Sequence, residues 1–356
     1  VIAIQRTWWQ KLSFVDLFLW AFRIAVIVVV IWGTVGTLTA GKYQREHWIF
    51  FIVFGLAQGG IYALIALGYT MVYGILRMIN FAHGEVFMSG AYTAYFAAAA
   101  LNNSGYLNRH PFISFLTLLA VAMSVSTGVA VLLERIAYRP LRHAPRLVPL
   151  ITAIGASFFL QYTFRGLYGT GFKAYPEFEV LKGDWIVFGV PVLRTQVLVL
   201  VASVLMMVGL YAFVMRTKIG TAMRAVSEDM DAAALMGVNV DRVIAITFAV
   251  GGAMAGAAGI LYAMVFKQVH FFMGFVPGIK AFTSAVLGGI GNIPGAMLGG
   301  MFLGLIESVG PALILDGLGI VAPYQLKDVI AFTMLVMVLI FRPSGILGER
   351  LAVKKA

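Results

Sequence analysis

The chain has no cysteine among its 356 residues, which excludes disulfides, thiolate metal sites and thiol nucleophiles without fixing a compartment. Charge is almost as scarce: only 12% of residues are Asp, Glu, Lys or Arg, and just 15 of them are acidic. Five histidines, at 47, 83, 110, 143 and 270, are scattered with no two at ligand spacing, so a metal site is not expected. The patterns G-x-x-x-x-G-K-[ST], H-E-x-x-H and G-x-S-x-G are all missing, so no phosphate cradle, zinc-protease helix or nucleophile elbow can be assigned. A membrane-embedded enzyme would need such a set, and no cofactor is expected on this chain.

What is present is hydrocarbon. Hydrophobic residues make up 61% of the sequence, too apolar for a soluble domain. Charge-free runs at 48–76, 110–133, 147–164, 195–215, 243–266 and 281–306 are each long enough for a helix to cross roughly 30 Å of lipid. Further spans are expected at 14–38, 86–101 and 324–341, the last with Lys327 and Asp328 in its first turn near an interface. The 14–38 run is too long for a signal peptide and reads as a retained first helix. The fold expected is all-α: a polytopic membrane helix bundle with about eight to ten spans, some broken or re-entrant.

The formal charge of +11 reports loop asymmetry rather than nucleic-acid binding. Residues 134–146 carry four arginines against one acid, and the tail after Phe341 carries Arg342, Arg350, Lys354 and Lys355 against Glu349. Residues 166–193 instead hold Lys173 and Lys182 against Glu177, Glu179 and Asp184. The positive-inside rule therefore puts the 134–146 loop, both termini and the 216–242 segment in the cytoplasm.

Segment 216–242, between two charge-free runs, has helical periodicity. Met223, Val226, Met230 and Ala233/Ala234 recur at steps of three and four, opposite Arg224, Glu228 and Asp231. That apolar face suits either a partner's groove or the chain's own bundle and the lipid headgroups. Ser227 is a candidate N-cap before Glu228, Asp229 and Asp231, and Gly237 supplies a stop, so one helix or two short ones are expected.

Elsewhere the polar residues are few. The 48–76 run would be about 44 Å long as straight helix, so it should tilt or break, with Gly68 and Gly74 bracketing the irregular end. Arg77, Asn80, His83, Gly84 and Glu85 follow as a compact polar loop, in which His83 and Glu85 read as a bracing hydrogen-bond pair or, less simply, a proton relay. The 281–306 run is interrupted by Gly288, Gly289, Gly291, Asn292 and Pro294, predicting two half-length helices with Asn292 capping the second. Such a corner marks either a translocation pathway or a structural kink. Glu307 is the acid most nearly embedded in an apolar run, a functional candidate or a carboxyl hydrogen-bonded inside the bundle. Gln58 and Gln161 must face protein or a pathway. Small residues four apart, at Gly55/Gly59, Gly252/Gly256 and Gly291/Gly295/Gly299, are packing faces. An echo between 55–74 and 288–304 is too loose to establish a repeat.

The motifs GIYALIALGYTMVYG at 60–74, INFAHGE at 79–85, ERIAYRP at 134–140, IGAS at 154–157, DRVIAITF at 241–248, KAFTSAVLGGIG at 280–291, IPGA at 293–296 and PSGILG at 343–348 resemble the H-type permease subunit of bacterial branched-chain amino-acid ABC importers. The resemblance covers residues 49–348. It leaves residues 1–48 as an extension with an extra transmembrane helix and 349–356 as a cytoplasmic tail. It implies an inner-membrane permease whose 228–237 segment couples to ATP-binding subunits through Glu228, Asp229, Ala232, Ala233 and Gly237. It implies an M-type permease partner, two ATP-binding subunits carrying the ATP and magnesium, and an extracytoplasmic substrate-binding protein. Gln58, Tyr62, Asn80, His83, Glu85, Gly289, Gly291 and Glu307 are then candidate pathway or gate residues. A related branch handles urea and short amides, and an ion-coupled secondary transporter would also use broken helices, although it would want more intramembrane charge than Glu307.

Overall fold

A computed structural model describes residues 14–348 apart from His143, Arg146, Phe188 and Pro343. The expectations for both termini and the 349–356 tail lie outside the described residues. The described chain is helical: α1 (Phe14–Ala40), α2 (Arg45–Leu76), α3 (His83–Asn103), α4 (Tyr106–Arg109), α5 (Pro111–Leu132), α6 (Leu147–Tyr168), α7 (Arg194–Arg216), α8 (Lys218–Glu228), α9 (Met230–Leu235), α10 (Val240–Phe266), α11 (Phe275–Gly288), α12 (Ile293–Gly310) and α13 (Lys327–Phe341). Two small antiparallel ladders interrupt it, β1 (Lys173–Ala174) with β4 (Gln268–Val269) and β2 (Asp184–Val187) with β3 (Val190–Leu193). Among the described residues, eight helices are long and apolar enough to cross a membrane.

α2 is the axis of the bundle. From Ala57 to Val72 every residue is buried, as expected of a helix apolar on all sides and packed on all sides. It is also unbroken: 32 residues run on through Gly68 and Gly74 to Leu76, and the chain turns only at Arg77, whose φ is 53°. Of the two expectations, tilt or break, there is no break: Gly68 admits the His83 ring and Gly251 instead of freeing backbone. α2 packs antiparallel against α12, and a Cβ on Gly59 would lie 2.8 Å from the Met301 Cα. Two backbones this close leave room only for hydrogen on one side, the use that small-residue faces serve in membrane bundles. The α3–α5–α10 contact is built the same way, with Gly90, Gly252 and Gly256 against Ala122 and Ser126.

α1, α6 and α13 form the periphery and expose most of their apolar side chains. α1 docks by one edge: Gly33 lies on Ile314, the Thr37 hydroxyl donates to the Ala312 carbonyl at 3.1 Å, and Lys42 pairs with Asp316 at 2.7 Å.

Two further expectations are corrected. The 134–146 loop is helical as far as Leu141, because α5 continues through a π turn (Leu133–Tyr138) and a 3₁₀ turn (Arg139–Leu141) that carry Glu134 into the interior. The compact loop before residue 86 is also shorter than expected, since α3 begins at His83.

Candidate functional site

The irregular backbone at depth lies where two helices begin, not at the Gly-rich corner. After Arg77 the chain folds back into the bundle, and the His83 ring sits against Gly68, eight residues or about 12 Å before the end of α2. α11 begins beside it: Gly274 lies against the Gly84 backbone, and a Cβ on Gly278 would be 3.0 Å from the Gly84 Cα. Glu85, in the first turn of α3 and buried, accepts from Gln161 Nε2 at 2.6 Å and Ser157 Oγ at 3.4 Å, while its Oε2 has no partner. His83 does not pair with Glu85. Its ring is edge-on to Tyr69 at 5.0 Å, and the expected bracing pair is replaced by Glu85–Gln161. Asn80 Oδ1 accepts from the Tyr138 hydroxyl at 2.6 Å and ties the fold-back segment to α5.

A second polar cluster forms between α2, α11, α12 and α13. Lys280, 3% exposed, reaches Glu307, 2% exposed, at 2.5 Å and Asp328 at 2.6 Å, with Lys327 3.7 Å from Glu307. Lys280 and Glu307 are the buried pair, each of which the interior would penalise alone, and the half-exposed Asp328 and Lys327 join them from the rim. Tyr62 covers Lys280, its ring centroid 5.8 Å from Nζ, and its hydroxyl accepts from Gln58 Nε2 at 2.5 Å. Sequence reasoning found Glu307, Gln58 and Tyr62 but not Lys280, which as the residue before a charge-free run looks like an interface anchor. The signal was the Gly-rich corner: a hairpin pivoting at 289–292 lays the helix of Lys280 alongside that of Glu307.

The corner itself is where the sequence puts it, with Asn292 capping α12 through Gly295 N at 2.9 Å. Gly289 and Gly291 take φ of 105° and 97°, but they sit level with the end of α2, Gly291 beside Gly74, rather than at depth. The 344–348 segment is stitched over them, with Ile346 N donating to Leu287 O at 2.8 Å and Asn292 Nδ2 to Leu347 O at 2.9 Å.

Segment 216–242 folds as two helices on this same face. Met223, Val226 and Ala233 are buried in the chain's own core, with α8 against α7, α10 and α2, so the predicted apolar face is already occupied. Left outward are Leu235 and Met236, 89% and 85% exposed. Asp229, not Ser227, is the N-cap of α9, its Oδ1 accepting from Asp231 N and Ala232 N at 2.9 Å; Ser227 Oγ bonds back to Arg224 O. Glu228 ends α8, Ala232 is exposed, and Gly237 follows α9 at φ 84°, a left-handed position that glycine occupies without strain. Arg77 donates to Ser227 O at 3.2 Å, and Asp241 receives Arg142 at 2.5 Å and Arg139, with Arg142 also on Glu134. Arg77 thereby ties α8 to the end of α2, and Asp241 ties the start of α10 to the extension of α5. Two groups of predicted site residues thus stand apart: Gln58, Tyr62, Asn80, His83, Glu85 and Glu307 inside the bundle, and Glu228, Asp229, Ala232, Ala233 and Gly237 with Gly289 and Gly291 on one end of it.

Residues 51–339 match the family model described as the permease component of the branched-chain amino acid transport system. The high-affinity branched-chain amino acid transport system permease protein BraD of Pseudomonas aeruginosa is 45% identical over 308 residues, which are 85% of this chain and 96% of that one. The LivH permease protein of the corresponding system in Salmonella typhimurium is 42% identical, covering 83% of this chain and 94% of its own. A protein described as a probable LivH permease in Methanocaldococcus jannaschii is 27% identical over 82% of this chain and 90% of its own. α1 precedes the residues that the family model matches.

Proposed function

The chain belongs to the permease family of branched-chain amino acid transport systems, and we propose that it is the membrane subunit of an ATP-driven importer that passes branched-chain amino acids across the bacterial inner membrane. ATP hydrolysis resides in separate subunits. In this reading residues 49–348 form the permease domain, residues 1–48 an added helix, and both termini face the cytoplasm with α8 and α9. An M-type permease completes the path, two ATP-binding subunits drive it, and an extracytoplasmic protein delivers the solute.

The observation that carries the reading is the pair Leu235–Met236. Two large apolar side chains stand almost fully exposed at the tip of a helix pair that buries Met223, Val226 and Ala233 against its own bundle. Tip exposure of that kind marks a surface awaiting a partner. The tip sits on helices braced by Arg77 and Asp229 and packed on α2, α7 and α10, so a push there moves the ends of those helices as a body.

The test is leucine-stimulated ATP hydrolysis by the reconstituted complex. Leu235→Glu with Met236→Glu, and separately Gly237→Pro, whose ring forbids a φ of 84°, should each lower the stimulation about tenfold or more. Unchanged stimulation in both variants contradicts the coupling role, and stimulation by urea or acetamide in place of leucine contradicts the substrate.

A further inference from the structure

The face opposite α8 and α9 holds a cavity of about 280 Å³ that no step of the coupling account uses. It lies between the starts of α2 and α7, the end of α10 and the 169–193 segment. That segment is clamped over α10 by the β1–β4 ladder and by Tyr175 N donating to Lys267 O at 2.9 Å. One wall is aromatic: Phe50 and Phe54 stack in parallel, centroids 6.1 Å apart and planes 4° apart. Charges of both signs line the cavity, Glu177 and Lys267 paired at 2.9 Å and Lys182 beside them. The Lys267 hydrogen bond holds the Glu177 carboxyl below its ordinary range, so this acid stays ionised at neutral pH.

Two lining side chains are unexplained by the fold. Gln196 is 2% exposed and Tyr175 4% exposed, and among the described residues neither the Gln196 amide oxygen nor the Tyr175 hydroxyl has a hydrogen-bond partner. Buried polar groups are rarely left so, and two in one cavity specify the chemistry that would complete them. A carboxamide offers an acceptor and donors side by side, and a phenol can do either. The complement is a small head group bearing both a donor and an acceptor, attached to an apolar body for Phe50 and Phe54. The mixed charges favour a head with no net charge. The volume, near the lower limit of ligand clefts at roughly 300 Å³, excludes a nucleotide or a large peptide.

We propose that this cavity is a reception site, within the permease subunit itself, for a zwitterionic α-amino acid with an aliphatic side chain. The ammonium donates to Gln196 and the carboxylate accepts from Tyr175 and Lys182, while the side chain lies on the Phe50–Phe54 wall. The proposal rests on the branched-chain importer reading and adds to it a solute site built from this subunit's residues alone.

Equilibrium binding of radiolabelled L-leucine to the permease–ATPase complex in nanodiscs, without the binding protein, tests it. Leucine should bind saturably. Isovalerate, which lacks the ammonium, and isoamylamine, which lacks the carboxylate, should not displace it at equal concentration. Gln196→Leu should weaken binding about tenfold, and Tyr175→Phe, which keeps the ring and its packing, about threefold. Absence of saturable binding, affinity unchanged in both variants, displacement by either analogue, or a phospholipid seen by native mass spectrometry to leave on Gln196→Leu would each overturn it. ATP-driven leucine uptake by the complete wild-type system separates the two claims: uptake without cavity binding removes only the reception site, whereas no uptake removes the importer reading.

Discussion

At the scale of single residues, the Lys280–Glu307–Asp328 cluster is the most consequential arrangement inside the bundle. Desolvating these charges is costly, and their mutual contacts offset the cost only while each has a partner. Lys280→Met should therefore destabilise the protein by about 3–5 kcal/mol by leaving buried Glu307 only the half-exposed Lys327 at 3.7 Å, and Lys280→Met with Glu307→Leu should recover most of that loss. Thermal unfolding in detergent, read for both variants, checks the pair. The cluster was half legible in the sequence. Glu307 stands out because its flanks are apolar. Lys280 does not, because only the folded hairpin of α11 and α12 shows that a residue 27 positions away is its counter-charge. His83 and Glu85 were found as polar residues, but their partners were not, since Gln161 lies 76 residues on in another helix.

Elements were more legible than contacts. Charge-free runs locate α6, α7 and α10 closely, because in hydrocarbon a span is defined by what it lacks. The broken α11–α12 pair was visible in Gly, Asn and Pro chemistry that acts within four residues. What failed was the reading of glycine in α2. The same residue breaks a helix or lets a second helix approach, and only the neighbour decides between them. At Gly68 the neighbours are the His83 ring and Gly251 of α10, whereas the Gly55/Gly59 face, read as packing from the sequence, receives α12, with Gly304 directly on Gly59. Gly304→Val should force the helices apart at an overpacking cost of at least about 1–3 kcal/mol, whereas Gly128→Val on α5, where nothing lies within 4 Å, should leave the unfolding temperature nearly unchanged. Equal effects of the two substitutions would contradict the packing described. The small ladders of the 169–193 segment escaped notice, because four-residue strands in a polar loop carry too little periodicity to register.

The whole molecule has two unlike ends. At one, Arg77 after α2 meets α8 while Arg139 and Arg142 after α5 meet the start of α10; at the other, a clamped loop covers a cavity with mixed charge. The charge bias that distinguishes them is readable in sequence, and from it comes the proposed orientation with α8 and α9 in the cytoplasm. The partner surface was misread in one respect. Amphipathic periodicity identified the face of α8 that the protein keeps for itself, whereas docking surfaces need exposure, which periodicity does not report. Because the chain has no cysteine, one introduced at Leu235 is the sole thiol and tests the account directly. In the complete transporter, Leu235→Cys should resist membrane-impermeant maleimide added to intact cells, and in inverted vesicles should crosslink to an ATP-binding subunit to a degree that changes with nucleotide. Labelling from outside in intact cells, or no crosslink to an ATP-binding subunit in any nucleotide state, would contradict it.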